Sequence, residues 1–149
     1  MDVSEVFGRM PFNDHLGIEL IEIEDGYALG ILELSHEHSS RPDRLVAHGG
    51  VTYALADTVG GAAVVAANRT VTPTIDMRID YLAPATGETL RAEAHVVRNG
   101  KSVATVEVTV TDDERQEIAT ARGVYKSGGA GSESAWGHGE IDEADSAGT

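Results

Sequence analysis

The chain has 149 residues, 41% of them hydrophobic and only 5% aromatic, which is enough for one domain whose core is built from Val, Ile, Leu and Ala. It has no cysteine, so disulfides, thiolate catalysis and Cys-ligated zinc are excluded. With 25 acidic against 11 basic residues the formal charge is −14, a field that repels phosphate backbones and argues against a nucleic-acid partner.

Along the chain, the first strand-like runs are Leu16–Glu24 and Tyr27–Ser35, joined by the hairpin signal Asp25-Gly26. The start Met1-Asp2-Val3 leads into a mixed polar segment without a basic stretch and apolar run. No signal peptide is therefore expected, and a cytoplasmic location is the default. Val51–Ala67 (VTYALADTVGGAAVVAA) carries one charge, no proline and many alanines, which predicts a buried helix. Its length, Asp57 and the Gly60-Gly61 pair argue against a membrane span. Thr74–Tyr81 reads as a strand ending before Pro84. Leu90–Arg98 sets Ala92, Ala94 and Val96 against Arg91, Glu93 and His95; Lys101–Thr111 sets Val106, Val108 and Val110 against Thr and Glu. Both are period-two patterns, with Asn99-Gly100 as the turn between them. Glu117–Lys126 is the last strand. A helix apolar nearly all round must be covered on most sides. The expected fold is α+β: a curved antiparallel sheet wrapped around one long central helix, with two strands before the helix and four after.

Residues 1–127 form this domain, and residues 128–149 read as an acidic Gly/Ser-rich tail with five acidic residues and no Lys or Arg. That composition predicts disorder, with a small docking element around Trp136 and Ile141 as the alternative. Only two lysines, Lys101 and Lys126, accompany the large acidic excess, a balance that suits an organism with high internal salt; a halophilic source is an expectation.

Chemistry concentrates between residues 45 and 57. Gly49 and Gly50 stand at the expected helix start, where unpaired backbone N–H groups and the positive dipole end suit a developing oxyanion. Asp57 is the only charge between Arg44 and Arg69. A carboxylate in an Ala/Val helix is a candidate base or nucleophile, or else an aspartate hydrogen-bonded into the core or facing solvent on an incompletely buried helix. Gly49 and Asp57 are eight residues apart, ~12 Å along a helix. One chain cannot bring both to the same carbonyl. If both act, Gly49 of one subunit faces Asp57 of another, and a dimer is required. His36 and His38 would share a strand face, but no third metal ligand accompanies them, and a solvated loop is the simpler reading; no metal site is expected.

The string His48-Gly49-Gly50 followed by Leu55-Ala56-Asp57 resembles the HGGxxxxLAD signature of the PaaI-like hotdog thioesterases. The segments 15–19, 74–84, 87–94 and 98–101 fit the same family, so the resemblance covers about residues 12–126. It implies hydrolysis of an acyl-CoA thioester to free acid and CoA. Aryl acyl groups of the phenylacetate-degradation kind come first and medium-chain groups second. It further implies a homotetramer and no cofactor beyond the CoA of the substrate. By the same resemblance the Gly49 N–H would polarise the thioester carbonyl with His48 alongside, Asp57 of the facing subunit would act as base or nucleophile, and Thr74 would hold the water or the Asp. Gly50, Arg98, Asn99, Gly100 and Lys101 would receive CoA; an ordinary solvated hairpin is the alternative for 98–101. Pro42 stands where the family usually carries an Asn that positions substrate or water, a role then lost, passed to Asp43 or Arg44, or done by water. A hotdog enoyl-CoA hydratase or dehydratase, and a non-catalytic acyl-CoA-binding protein, are the competing functions.

Overall fold

The computed structural model describes residues 2–128 and 134–136. Six strands form one antiparallel sheet in the order β1-β2-β4-β5-β6-β3: β1 Ile18–Glu24, β2 Tyr27–Glu33, β3 Thr74–Tyr81, β4 Thr89–Asn99, β5 Val103–Asp112 and β6 Glu117–Lys126. Two short helices, α1 (Val3–Gly8) and α2 (Pro11–Leu16), precede the sheet, and the long helix α3 (Gly49–Asn68) connects β2 to β3. This is the hotdog arrangement expected from the sequence.

The period-two patterns sort as they should. Ala92, Ala94, Val106, Val108 and Val110 are buried against α3, while Arg91, His95 and Glu107 face water. The helix lies mainly on β2, β4 and β5. It is long and apolar enough by composition to cross a bilayer, but eleven of its twenty residues are buried inside the protein. Ala, Gly and Val on α3 meet Ala and Val on the strands, and the one buried aromatic of the sheet among the described residues, Tyr125, lies where Gly60 and Gly61 make room for it.

The turn at Asp25-Gly26 is a two-residue loop between the paired residues Glu24 and Tyr27, with Gly26 at φ 72°. The Asn99-Gly100 signal misreads its turn. The connection is the three-residue segment Gly100–Ser102, neither Asn99 nor Gly100 has positive φ, and β5 begins at Val103. A register shift between Val96 and Arg98 precedes the turn, and the Ser127 hydroxyl donates to the Gly100 carbonyl, a distant contact that fixes the loop. The first strand begins at Ile18, not Leu16, because α2 runs to Leu16 and Gly17 turns the chain at φ 82°. The expected tail lies outside the described residues, except for Gly128 and Ser134–Trp136.

Candidate functional site

The start of α3 builds the first half of the site. His48 is its N-cap, and the ring Nδ1 accepts a hydrogen bond from the Gly50 N–H at 2.8 Å. An accepting Nδ1 leaves the proton of the neutral ring on Nε2. The Val51 N–H is taken by the His48 carbonyl at 2.9 Å. The Gly49 N–H between them has no hydrogen-bond partner among the described residues. The Tyr81 hydroxyl donates to the Gly49 carbonyl at 2.7 Å, and its ring lies where a Cβ on residue 49 would come within 3.2 Å. Residue 49 therefore offers an open donor in a position where a side chain would crowd Tyr81.

Two turns along the helix, Asp57 is half-buried and held on one side only. Thr74, the first residue of β3, donates to Asp57 Oδ1 at 2.8 Å. The Tyr125 hydroxyl from β6 reaches Oδ1 at 3.0 Å and the Asp57 backbone carbonyl at 2.8 Å, sharing its one proton between them. Oδ2 has no hydrogen-bond partner among the described residues. One carboxylate oxygen is thus anchored by two hydroxyls while the other is left to meet a ligand.

Tyr125 was not legible as a site residue. It is only 1% exposed, and the room for its ring comes from glycines. A Cβ on Gly60 would stand 2.8 Å from the Tyr125 hydroxyl, and one on Gly123 would stand 2.6 Å from its ring. Burial pushes the Tyr125 phenol well above the usual tyrosine value, and the Asp57 charge beside it adds to the effect. The group keeps its proton and serves as a donor. The signal available in the sequence was the alternation of β6, which puts Ala121, Gly123 and Tyr125 on the inner face opposite the Gly60-Gly61 pair.

Arg98, Asn99 and Lys101 are exposed at the β4–β5 hairpin. Pairing of Val103 with Lys126, and of Tyr125 with both Ala104 and Thr74, puts this hairpin at the same end of the sheet as Thr74 and Tyr125. From β5 to β3 is two strand spacings, about 10 Å. Gly50 lies apart from the hairpin, at the start of α3, where His48 occupies its N–H.

Pro42 lies in an exposed loop clamped by Ser39, whose hydroxyl donates to the Arg44 carbonyl at 2.7 Å and accepts from the Val46 N–H at 3.0 Å. Asp43 is engaged by Arg41 at 3.0 Å. His36 and His38 fall in a single 3-10 turn, not on a strand face, and His38 is buried with Nδ1 accepting from the Ser35 N–H at 3.0 Å.

Comparison with known proteins bears on the fold and the family. The profile described as the Thioesterase superfamily matches residues 46–119, which include α3 and both Gly49 and Asp57. The medium/long-chain acyl-CoA thioesterase YigI of Escherichia coli is 30% identical over 142 residues, covering 85% of this chain and 92% of that protein. A putative esterase of Halobacterium salinarum is 41% identical over 92 residues, 53% of this chain and 58% of that one. The solved structure of the PaaI protein from the E. coli phenylacetic acid degradation operon superposes with a TM-score of 0.76 at 23% identity, over 82% of this chain and 87% of that one, a likeness of fold. The chain belongs to the thioesterase superfamily and has its hotdog fold. It is an acyl-CoA thioesterase at the level the family defines.

Proposed function

We propose that the chain hydrolyses an acyl-CoA thioester at a site shared by two copies, with Asp57 of one and the Gly49 N–H of the other. The observation that carries this is the split environment of Asp57: Oδ1 anchored by Thr74 and Tyr125, Oδ2 unpaired, in a helix whose first N–H groups include an open one at Gly49.

The two groups are too far apart to share a carbonyl within one chain, eight residues or ~12 Å on a straight helix. The edge strand β3 favours pairing of copies. Among the described residues β6 is the only strand it pairs with, and Ile75 (58% exposed), Tyr81 (52%) and, just beyond, Leu82 (53%) are large side chains left in water. An unpaired strand edge with such groups is a template for a two-fold partner strand.

In the reaction, the thioester oxygen accepts from the Gly49 N–H as negative charge grows on it, and the His48 Nε2–H is a second donor on the same loop. Asp57 acts through Oδ2. As a base it takes a proton from water while the water oxygen bonds to the carbonyl carbon; as a nucleophile it forms that bond itself, and water then cleaves the anhydride. Either way the C–S bond breaks, the pair of electrons leaves on the CoA sulfur, and the thiolate takes up a proton. Thr74 and Tyr125 hold the carboxylate in place throughout. Arg98 and Lys101 supply local positive charge for the CoA phosphates on a protein whose overall charge repels them. Aryl and medium-chain acyl groups remain the proposed substrates.

Thiol release from aryl- and alkyl-CoA thioesters tests this. Wild type hydrolyses part of the panel and Asp57→Ala loses at least two orders of magnitude, about 2.7 kcal/mol of barrier. A folded wild-type oligomer without hydrolysis at low or molar salt would sink the enzymatic reading.

A further inference from the structure

Next to Asp57 the fold leaves a cavity of about 140 Å³. Asp57, Thr74 and Tyr125 contribute its polar part, and the remaining wall is mostly apolar, with Val6, Phe7, Met10, Val65, Val71 and Trp136. Thr72 also lines it, and its buried hydroxyl has no hydrogen-bond partner among the described residues. Part of the apolar wall is fixed: Phe7 and Val65 are buried core residues on α1 and α3, and Val6 and Met10 pack partly buried against that core. Trp136 differs. It belongs to the short described stretch Ser134–Trp136, outside the sheet and helices, and is 59% exposed, so it touches the cavity while much of its surface stays in water.

We propose that this cavity takes the acyl group and that Trp136 is its movable wall, so that the enzyme prefers compact, ring-sized acyl groups and long chains enter only when Trp136 swings out. The inference rests on the thioesterase reading above. A cavity of this size has room for about one aromatic ring, since an apolar cavity of roughly 150 Å³ holds benzene. A long acyl chain needs more space than the cavity offers with Trp136 in place. Of the apolar wall residues, Trp136 is the most exposed, and so the one that yields at least expense to the fold.

The test compares phenylacetyl-, hexanoyl- and decanoyl-CoA on wild type and Trp136→Ala. The decanoyl-to-phenylacetyl ratio of kcat/KM should rise about tenfold or more in the variant, with phenylacetyl-CoA still hydrolysed. An unchanged ratio in two active proteins would overturn the proposal and leave the thioesterase intact. Trp136 is also the chain's only tryptophan, so its emission reports the cavity without turnover. Asp57→Asn titrated with phenylacetyl-CoA should show a saturable emission change that CoA alone does not produce. The same change with CoA alone, or none with either, contradicts the proposal. The acyl-dependent change in a protein that hydrolyses nothing would support the pocket and refute the catalysis.

Discussion

Replacing Tyr125 by phenylalanine removes one oxygen and keeps the ring between Gly60 and Gly123. The lost group donates to Asp57 Oδ1 at 3.0 Å and to the Asp57 carbonyl at 2.8 Å. Thr74 then remains the single hydroxyl on Oδ1. A hydrogen bond to a charged group contributes about 1.5–3 kcal/mol net. If that energy orients the carboxylate for attack, kcat falls about 10- to 100-fold. KM stays within about twofold, because Tyr125 holds the carboxylate and not the CoA. The fold loses about 1 kcal/mol, since the ring volume is unchanged and only one buried hydroxyl goes. The assay is steady-state thiol release on the best thioester, with a denaturant melt on the same protein. Thr74→Val and the double variant complete a cycle. Two groups on one oxygen should prove non-additive by about 1 kcal/mol. A Tyr125→Phe protein with wild-type kcat would refute the claim that the Oδ1 anchor matters to the chemistry. A large KM change with unaltered kcat would place Tyr125 against the substrate instead.

Two further predictions concern the protein in bulk. All four tyrosines are raised in the folded state: Tyr27 to about 12, Tyr53 and Tyr81 upward chiefly by burial, and Tyr125 well above 10.0. The folded chain then holds these protons more tightly than the unfolded one, so stability is intact below pH 10.0 and falls as pH rises past it. Urea melts from about pH 9 to 11 should show that decline, and Tyr125→Phe should flatten it; a flat wild-type profile would contradict the burial of the Tyr125 phenol. The −14 charge should also make stability salt-dependent. Molar KCl screens the self-repulsion and is expected to raise Tm by roughly 5 °C or more, whereas an equal Tm at low and molar KCl would count against an acid-rich surface adapted to salt.

The sheet and its central helix could be read because each strand carries its own alternation and α3 carries a run of alanines that only a buried helix accommodates. Asp57 and Gly49 stood out by residue type and position, and Thr74 by the family resemblance alone; the fold puts the Thr74 hydroxyl on Asp57. Tyr125 was not readable, because its role depends on β6 pairing with β3 and on two glycines that clear its ring, none of which is local to residue 125. The short helices α1 and α2 were missed for another reason. Each is six residues long, too short for the periodicity to register, and α1 is held by Val3 and Phe7 docking into the core rather than by propensity. The Asn99-Gly100 turn was misjudged because Ser127, far along the chain, sets the conformation of the loop. A single chain also cannot display the partner that the distance from Gly49 to Asp57 calls for.

That shared site is the central claim, and mixing two inactive variants tests it most directly. Gly49 is the first residue of α3, where proline is compatible with a helix and lacks the N–H, so Gly49→Pro deletes the proposed oxyanion donor. Asp57→Ala deletes the carboxylate. Each alone should be inactive. Unfolded together and refolded as mixed dimers, they should recover about a quarter of wild-type activity, because half the dimers are mixed and each of those has one complete site. No recovery from folded mixed dimers would mean that Gly49 and Asp57 do not meet across an interface, and the two-copy site would be wrong.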